Sequence, residues 1–237
     1  MKGPALLREI NEKRVLAFLR SNITSSRQEI TESLNLSKNT VSLIIDKFLK
    51  KGIIKEIGLD PNGVGRPRMK ISINPEAFFS VGLHFRHHSL EIVVTNFLGS
   101  IVESYALKLN THAPESYFNE IEKIWPELEK KYRSILGLGI AVPGLVDPDR
   151  GLLHYSSHLG WENIDFYERL YYISVPIYVF NRVKAAALSP IKVIPEDAES
   201  TFYIRIDEGV GGAFVLKHDI LDGFSNNAGE IGHLVVE

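Results

Sequence analysis

No cysteine occurs among the 237 residues, and methionine and tryptophan appear twice each. Without a thiol these residues can form neither a disulfide nor a thiolate metal site. That fits a reducing cytoplasm, the expected location. No apolar run approaches the ~20 residues that a bilayer span needs, and the first residues lack the apolar core of a signal peptide. No membrane partner is expected. Internal repeats and low-complexity tracts are missing as well. What remains is an ordinary globular composition, 44% hydrophobic and 24% charged, long enough for two domains with cores of their own.

A formal net charge of −2 conceals an uneven distribution. Residues 1–70 hold 14 Lys+Arg against 7 Asp+Glu, and the remaining residues hold 13 against 22. A basic head on an acidic body confines any nucleic-acid contact to the head.

The head has a helix pattern to match. In Ser37–Lys51, Val41, Ile44, Ile45, Phe48 and Leu49 fall at helical spacing on one face. Ser37 stands at the N-cap position and Gly52 follows the last lysines, where a left-handed cap belongs. Upstream, Ser26-Arg27-Gln28-Glu29 has capping-box spacing and opens a second helix through Leu34, and Asn35-Leu36 makes a tight turn. A further amphipathic helix covers about residues 11–21, with Val15, Leu16, Phe18 and Leu19. Three short helices with a tight second turn read as helix-turn-helix. Two strands, 53–57 and 69–73, flank a Gly/Pro-rich loop and read as a wing.

The polar start of the third helix suits a major groove. Ser37, Lys38, Asn39, Thr40 and Ser42 can reach base edges, and Lys47 can meet a phosphate. At the wing tip, Arg66 and Arg68 bracket Pro67 as a stiff cationic finger for a minor groove. A small helical bundle with a solvated charged face is the rival reading of the helices alone.

Beyond Asn74-Pro75 the chain alternates strands and helices, which argues for an α/β body. Residues 78–85, 90–95 and 101–107 are strand-like and suggest an antiparallel meander at the edge of a mixed sheet. Residues 114–132 read as an amphipathic helix carrying Phe118, Ile121, Ile124, Trp125 and Leu128. Residues 135–142, 175–180 and 202–206 read as further strands, and 184–188 as a helix start.

Four ordered motifs carry a resemblance. They are Gly139-Ile140-Ala141-Val142-Pro143-Gly144-Leu145-Val146-Asp147, Phe180-Asn181-Arg182-Val183-Lys184-Ala185-Ala186-Ala187-Leu188, Glu208-Gly209-Val210-Gly211-Gly212-Ala213 and Ala228-Gly229-Glu230-Ile231-Gly232-His233. In that order they resemble the ROK family of repressors and sugar kinases, whose body is an actin-like sugar-kinase fold. The head, with its Gly-Arg-Pro element, looks like the winged helix of the family's repressor branch, the xylose and N-acetylglucosamine repressors. The resemblance implies a winged helix over 1–73 and a ROK-type body over 74–237, carbohydrate (xylose among others) as effector, operator DNA as partner and a homodimer. The expected mechanism is that sugar closes the lobe cleft, shifts a hinge near Asn74-Pro75 and changes the spacing of two heads.

Two departures bear on catalysis. Where the kinases place the aspartate that accepts the sugar proton, this chain has Arg182, which stays protonated and cannot act as that base. Where they use Asp-x-Gly-Gly-Thr to admit ATP phosphates, it has His84-Phe85-Arg86-His87-His88, too bulky for that approach. The chain is therefore expected to bind a sugar without phosphorylating it, with no catalytic residues and no cofactor. A functional sugar kinase carrying a DNA-binding head is the alternative, and a constitutive DNA-binding protein with a packing body is a third reading.

On the resemblance, Asn181, Glu230 and His233 contact the sugar. His158 stands where many members carry asparagine, and Arg182 can contact ligand in place of the lost aspartate. His84, His87 and His88, without cysteine or carboxylate at ligand spacing, read as satisfied or solvated histidines rather than a metal cluster. In the family the histidine matching His233 joins three cysteines further on to bind zinc, so His233 is a zinc ligand only in a longer chain. The sequence stops four residues after His233, where family members continue, so the expectation is a fragment or short form with an incomplete second lobe.

Overall fold

Ser26 and Glu29 form the capping box that their spacing predicts. Ser26 Oγ accepts from the Glu29 amide at 3.3 Å, and Glu29 Oε2 accepts from the Ser26 amide at 2.6 Å. The computed structural model describes residues 3–59, 68–188, 198–207, 209–216 and 219–233, with the side chain of His233 left aside. These divide into two compact units, Met1–Phe79 with Thr95–Ser100, and Ser80–Val94 with Ile101–Glu237.

In the first unit, α1 (Pro4–Ser21) starts well before its apolar periodicity does, because Pro4 occupies the first turn, where its missing N–H costs nothing. Leu6, Leu7 and Ile10 on that extension are exposed. After β1 (Ser25–Ser26) comes α2 (Arg27–Leu34), closed by Asn35 in the left-handed region at φ 50°. In α3 (Lys38–Lys50), Ser37 caps the N-terminus through the Thr40 amide at 3.1 Å. Gly52, at φ 68°, closes a Schellman motif in which Ile53 N–H donates to Phe48 O at 3.0 Å.

The wing strands are β2 (Ile54–Leu59) and β3 (Met69–Ile73), paired antiparallel, with β1 on the other edge of β3. That third strand left no trace in the sequence pattern, since two serines carry no strand signal. Val15, Leu19, Ile30, Val41, Ile45 and Ile71 make one buried core from all three helices and the wing. Lys70 on β3 donates to Glu29 Oε1 at 2.8 Å, tying wing to capping box.

The second unit is built on a mixed sheet. Its meander is β4 (Phe79–Arg86), β5 (Ser89–Asn96) and β6 (Ile101–Lys108); α4 (Pro114–Lys131) and β7 (Ile135–Val142) follow. A three-stranded sheet of β8 (Leu145–Asp147), β9 (Leu152–Ser156) and β10 (Trp161–Asp165) leads through the short helix α5 (Phe166–Arg169) to β11 (Ile177–Asn181) and helix α6 (Arg182–Ala187). A second three-stranded sheet, β12 (Ser200–Ile206), β13 (Val210–Leu216) and β14 (Asp219–Ile220), completes the order before a 3-10 turn at Ile231–His233. The five-stranded sheet runs β11-β7-β4-β5-β6, with β11 parallel to β7 and the meander at one edge.

Alternation along β4 buries Val81, Leu83 and Phe85, the residues that face α4. Phe85 is the centre of the aromatic packing: its ring lies 5.7 Å from Tyr117, 5.7 Å from Trp161 and 5.4 Å from Phe166. The opposite face carries Gly82, His84, Glu91 and Val93 along an apolar cavity of about 480 Å³.

There His84 Nδ1 lies 2.9 Å from Glu91 Oε2, and Arg86 donates to Glu91 Oε1 at 2.9 Å. Burial pushes the His84 imidazole down despite that carboxylate. Burial raises the Glu91 carboxyl too, but the hydrogen bonds from Arg86 and His84 outweigh it and hold the group below the usual range. The pair is therefore a carboxylate beside a neutral imidazole. A depressed imidazole binds its proton later in the folded chain than in the unfolded one. Its contribution is complete above the unfolded value of about 6.5 and is lost as pH falls below it. Thermal unfolding followed between pH 7.5 and 5 should show a falling midpoint, and His84→Gln should flatten that fall. An unchanged slope would remove His84 as its origin.

Candidate functional site

Two regions bring together the residues singled out in the sequence. On the head, the N-terminal end of α3 presents Ser37, Lys38 and Asn39 exposed, with Thr40 and Ser42 partly so. Ser37 is occupied in part, since its hydroxyl caps the helix and lies 2.8 Å from Thr40 Oγ1. Lys38, Asn39 and Ser42 are thus the outward-facing set. Lys47 lies elsewhere: its Nζ donates to Glu12 Oε1 at 2.6 Å, so its charge holds α3 on α1. That pairing lowers the Glu12 carboxyl from its usual value. Arg68, at the foot of β3, is exposed. Arg66 and the wing tip around it lie outside the described residues.

In the body, Pro143, Gly144, His158, Asn181, Arg182, Asp207 and Glu230 line one cavity of about 290 Å³. The turns that form it come from four distant motifs, and glycine backbone lets them meet. Gly229 sits at φ 95°, and a Cβ there would lie 2.4 Å from Gly212 O. Only glycine admits this backbone-on-backbone approach, which carries Glu230 to the cavity. Gly144, at φ 121°, is similarly pressed against Tyr155 O.

Asn181 is used mainly to build the site. Its Oδ1 accepts from Val183 N–H at 2.7 Å as the N-cap of α6, and its Nδ2 donates to Gly144 O at 2.8 Å. One of its amide hydrogens is thereby committed to Gly144. Arg182 Nη2 is 3.5 Å from Asp207 Oδ1, and Arg205 Nε donates to the other oxygen of that aspartate at 2.5 Å. Two guanidiniums thus share one carboxylate on this wall. Lys184, 4% exposed, donates to Asp222 at 2.6 Å and to Asn226 O at 2.9 Å, fixing the loop before Glu230. The side chain of His233 and residue Glu208 lie outside the described residues.

Asp207, Arg205 and the Lys184–Asp222 pair were not singled out from the sequence. A buried lysine and a solvated one look alike in a charge pattern, and Asp207 pairs across β12 to a residue 25 positions away.

With this geometry in view, comparison with known proteins is specific. Residues 81–237 match the ROK family, and residues 8–55 match a winged helix-turn-helix DNA-binding domain. The chain belongs to the ROK family. Among ROK relatives, the xylose repressor of Caldicellulosiruptor bescii is 27% identical over 244 residues, covering all of this chain and 61% of that protein. The xylose repressor of Bacillus subtilis is 25% identical (98% and 62% covered), and the Escherichia coli dual regulator NagC is 26% identical (98% and 59%). The chain thus spans about three fifths of these ROK relatives. A solved ROK transcriptional regulator, a homologue of the E. coli MLC protein, superposes with a TM-score of 0.75 over 98% of this chain and 60% of its own, at 21% identity. A ROK glucokinase from Streptomyces griseus, solved with glucose and AMPPNP, covers 67% of this chain with a TM-score of 0.58 and 18% identity. No helix among the described residues is long and apolar enough to cross a membrane.

Proposed function

We propose that this chain is a sugar-responsive transcriptional repressor: its winged helix binds operator DNA, and its ROK body binds a monosaccharide without phosphorylating it. The observation that carries the reading is Arg182, held on Asp207 in the same cavity as Glu230 and Asn181, at the position where the family's kinases have a proton acceptor. A guanidinium keeps its charge at any physiological pH and donates hydrogen bonds only. It can orient a hydroxyl and cannot deprotonate one. The relatives named xylose repressor and N-acetylglucosamine repressor make those two sugars the first candidates.

Lys38, Asn39 and Ser42 would read base edges, with Thr40 beside them. Arg68 and Arg66 would track the wing's groove. Glu230 would accept from vicinal hydroxyls, with His158 at the cavity wall and Asn181 offering its remaining N–H. We further propose that the protein acts as a cytoplasmic homodimer, in which sugar changes the fit of two heads to half-sites about one helical turn apart. No resident cofactor is required for this reading.

Duplexes selected from a random pool at low salt, then titrated with xylose, N-acetylglucosamine and related sugars, test it. A sugar should alter operator affinity, and Arg182→Ala should weaken that sugar at least tenfold while leaving sugar-free operator affinity intact. A coupled assay giving sugar-dependent ATP turnover would instead support the kinase reading, and operator affinity deaf to every sugar would support a constitutive DNA-binding protein.

A further inference from the structure

Adjacent residues in a strand point to opposite faces. His87 and His88 do not, because the hairpin between β4 and β5 turns on them, with His88 in the left-handed region at φ 62°. Their ring centroids lie 4.4 Å apart. A third imidazole, His112, reaches the same spot from the loop after β6, 4.3 Å from His87 and 4.0 Å from His88. The three offer ring nitrogens within 4.8 Å of one another, all exposed.

Both supports of this cluster are fixed. Trp161 Nε1–H donates to His112 O at 2.6 Å, and Leu109 N–H donates to His88 O at 2.8 Å. His88 Nδ1 lies 3.3 Å from Leu109 O. A carbonyl partner there requires Nδ1 to carry the proton, which leaves the Nε2 lone pair for an ion. This is the outer-shell arrangement that orients metal-bound histidines.

We propose that His87, His88 and His112 form a binding site for a divalent transition-metal ion of the Zn²⁺, Ni²⁺ or Cu²⁺ class. Three imidazole nitrogens without a carboxylate favour these ions over Mg²⁺ or Ca²⁺. Tetrahedral coordination at about 2.0–2.1 Å brings the nitrogens to roughly 3.3 Å from one another, a closure that exposed rings reach by turning about χ1 and χ2. The fourth position stays open. His84, the other histidine of this stretch, belongs to a different group, bound to Glu91 on the opposite side of the sheet from the α4-facing residues. The ion would lie near the sugar cavity, since the His158 ring is 6.0 Å from His87.

Equilibrium dialysis of the full chain against Zn²⁺, with Co²⁺ absorption as a second readout, tests the site. One equivalent should bind, with d–d bands of a nitrogen-rich four-coordinate ion. His112→Ala should weaken binding at least tenfold. His88→Gly, which suits the left-handed turn and cannot unfold it, should do the same, and His154→Ala should change nothing. Absence of saturable binding, or binding that survives both cluster variants, would overturn the proposal; loss only with His233→Ala would do so too, by placing the ion elsewhere.

Discussion

Replacing Gly229 by valine should lower sugar affinity by two orders of magnitude or more, while Gly99→Ala should leave it unchanged. Both glycines adopt positive φ, 95° and 81°, so both variants carry the strain of a side chain in the left-handed region, roughly 1–2 kcal/mol. They differ in what the new atoms meet. A Cβ added at Gly99 would find nothing within 4 Å, whereas at Gly229 it would lie 2.4 Å from Gly212 O and 2.8 Å from Gly212 C. Backbone cannot swing aside as a side-chain tip can. One of the two turns must withdraw, taking Glu230 with it, and a carboxylate displaced by an ångström from vicinal hydroxyls loses the geometry on which its hydrogen bonds depend. Calorimetric titration with the responsive sugar measures the result. Near-normal affinity in Gly229→Val would show that Glu230 is not held by this contact.

Ile45→Ala should lower the unfolding temperature of the first unit and weaken operator binding at 37 °C. Ile45 is fully buried among Ile30, Val41 and Ile71, and truncation of such a residue costs about 2–5 kcal/mol. A unit of this size has only about 5–15 kcal/mol of stability in all. The body should report no change, and the chain carries its own probe for that. Both tryptophans, Trp125 and Trp161, lie buried in the body, so tryptophan fluorescence follows that unit alone and circular dichroism follows both. The variant should show an early dichroic transition with an unshifted fluorescence midpoint. Simultaneous loss of both signals would mean that the two units unfold together.

How much of this was legible in the residues depended on whether the signal was local. Caps are local chemistry, so Ser26, Glu29, Ser37, Asn35 and Gly52 marked their helix ends without help from tertiary contacts. Strands β3 and β7 were read with their observed limits because turn residues bracket apolar runs. The small sheet of β8, β9 and β10 was not foreseen: its strands are short, mix polar with apolar residues and rest on cross-strand pairs such as Trp161 with Ser156. The same divide separates the site residues. Four ordered motifs located the cavity through resemblance, but the part played by each side chain came from partners distant in sequence. Asn181 is drawn onto the Gly144 carbonyl, Lys47 is drawn onto Glu12, and His112 joins a histidine pair 24 positions upstream. No window of sequence contains those pairings.

Glu29 has a consequence for how the winged-helix unit comes apart. One oxygen of its carboxylate closes the start of α2 and the other grips Lys70 on β3. The Lys70 hydrogen bond lowers its proton affinity, and the Ser26 amide adds to that against a counteracting burial. The carboxylate's contribution is complete above the ordinary value of about 4.5 and is lost as pH falls through the lowered one, where a single proton weakens both attachments. The start of α2 and the grip of the wing at Lys70 are thus coupled through one carboxylate, while β1 pairing and the buried Ile71 keep the wing seated.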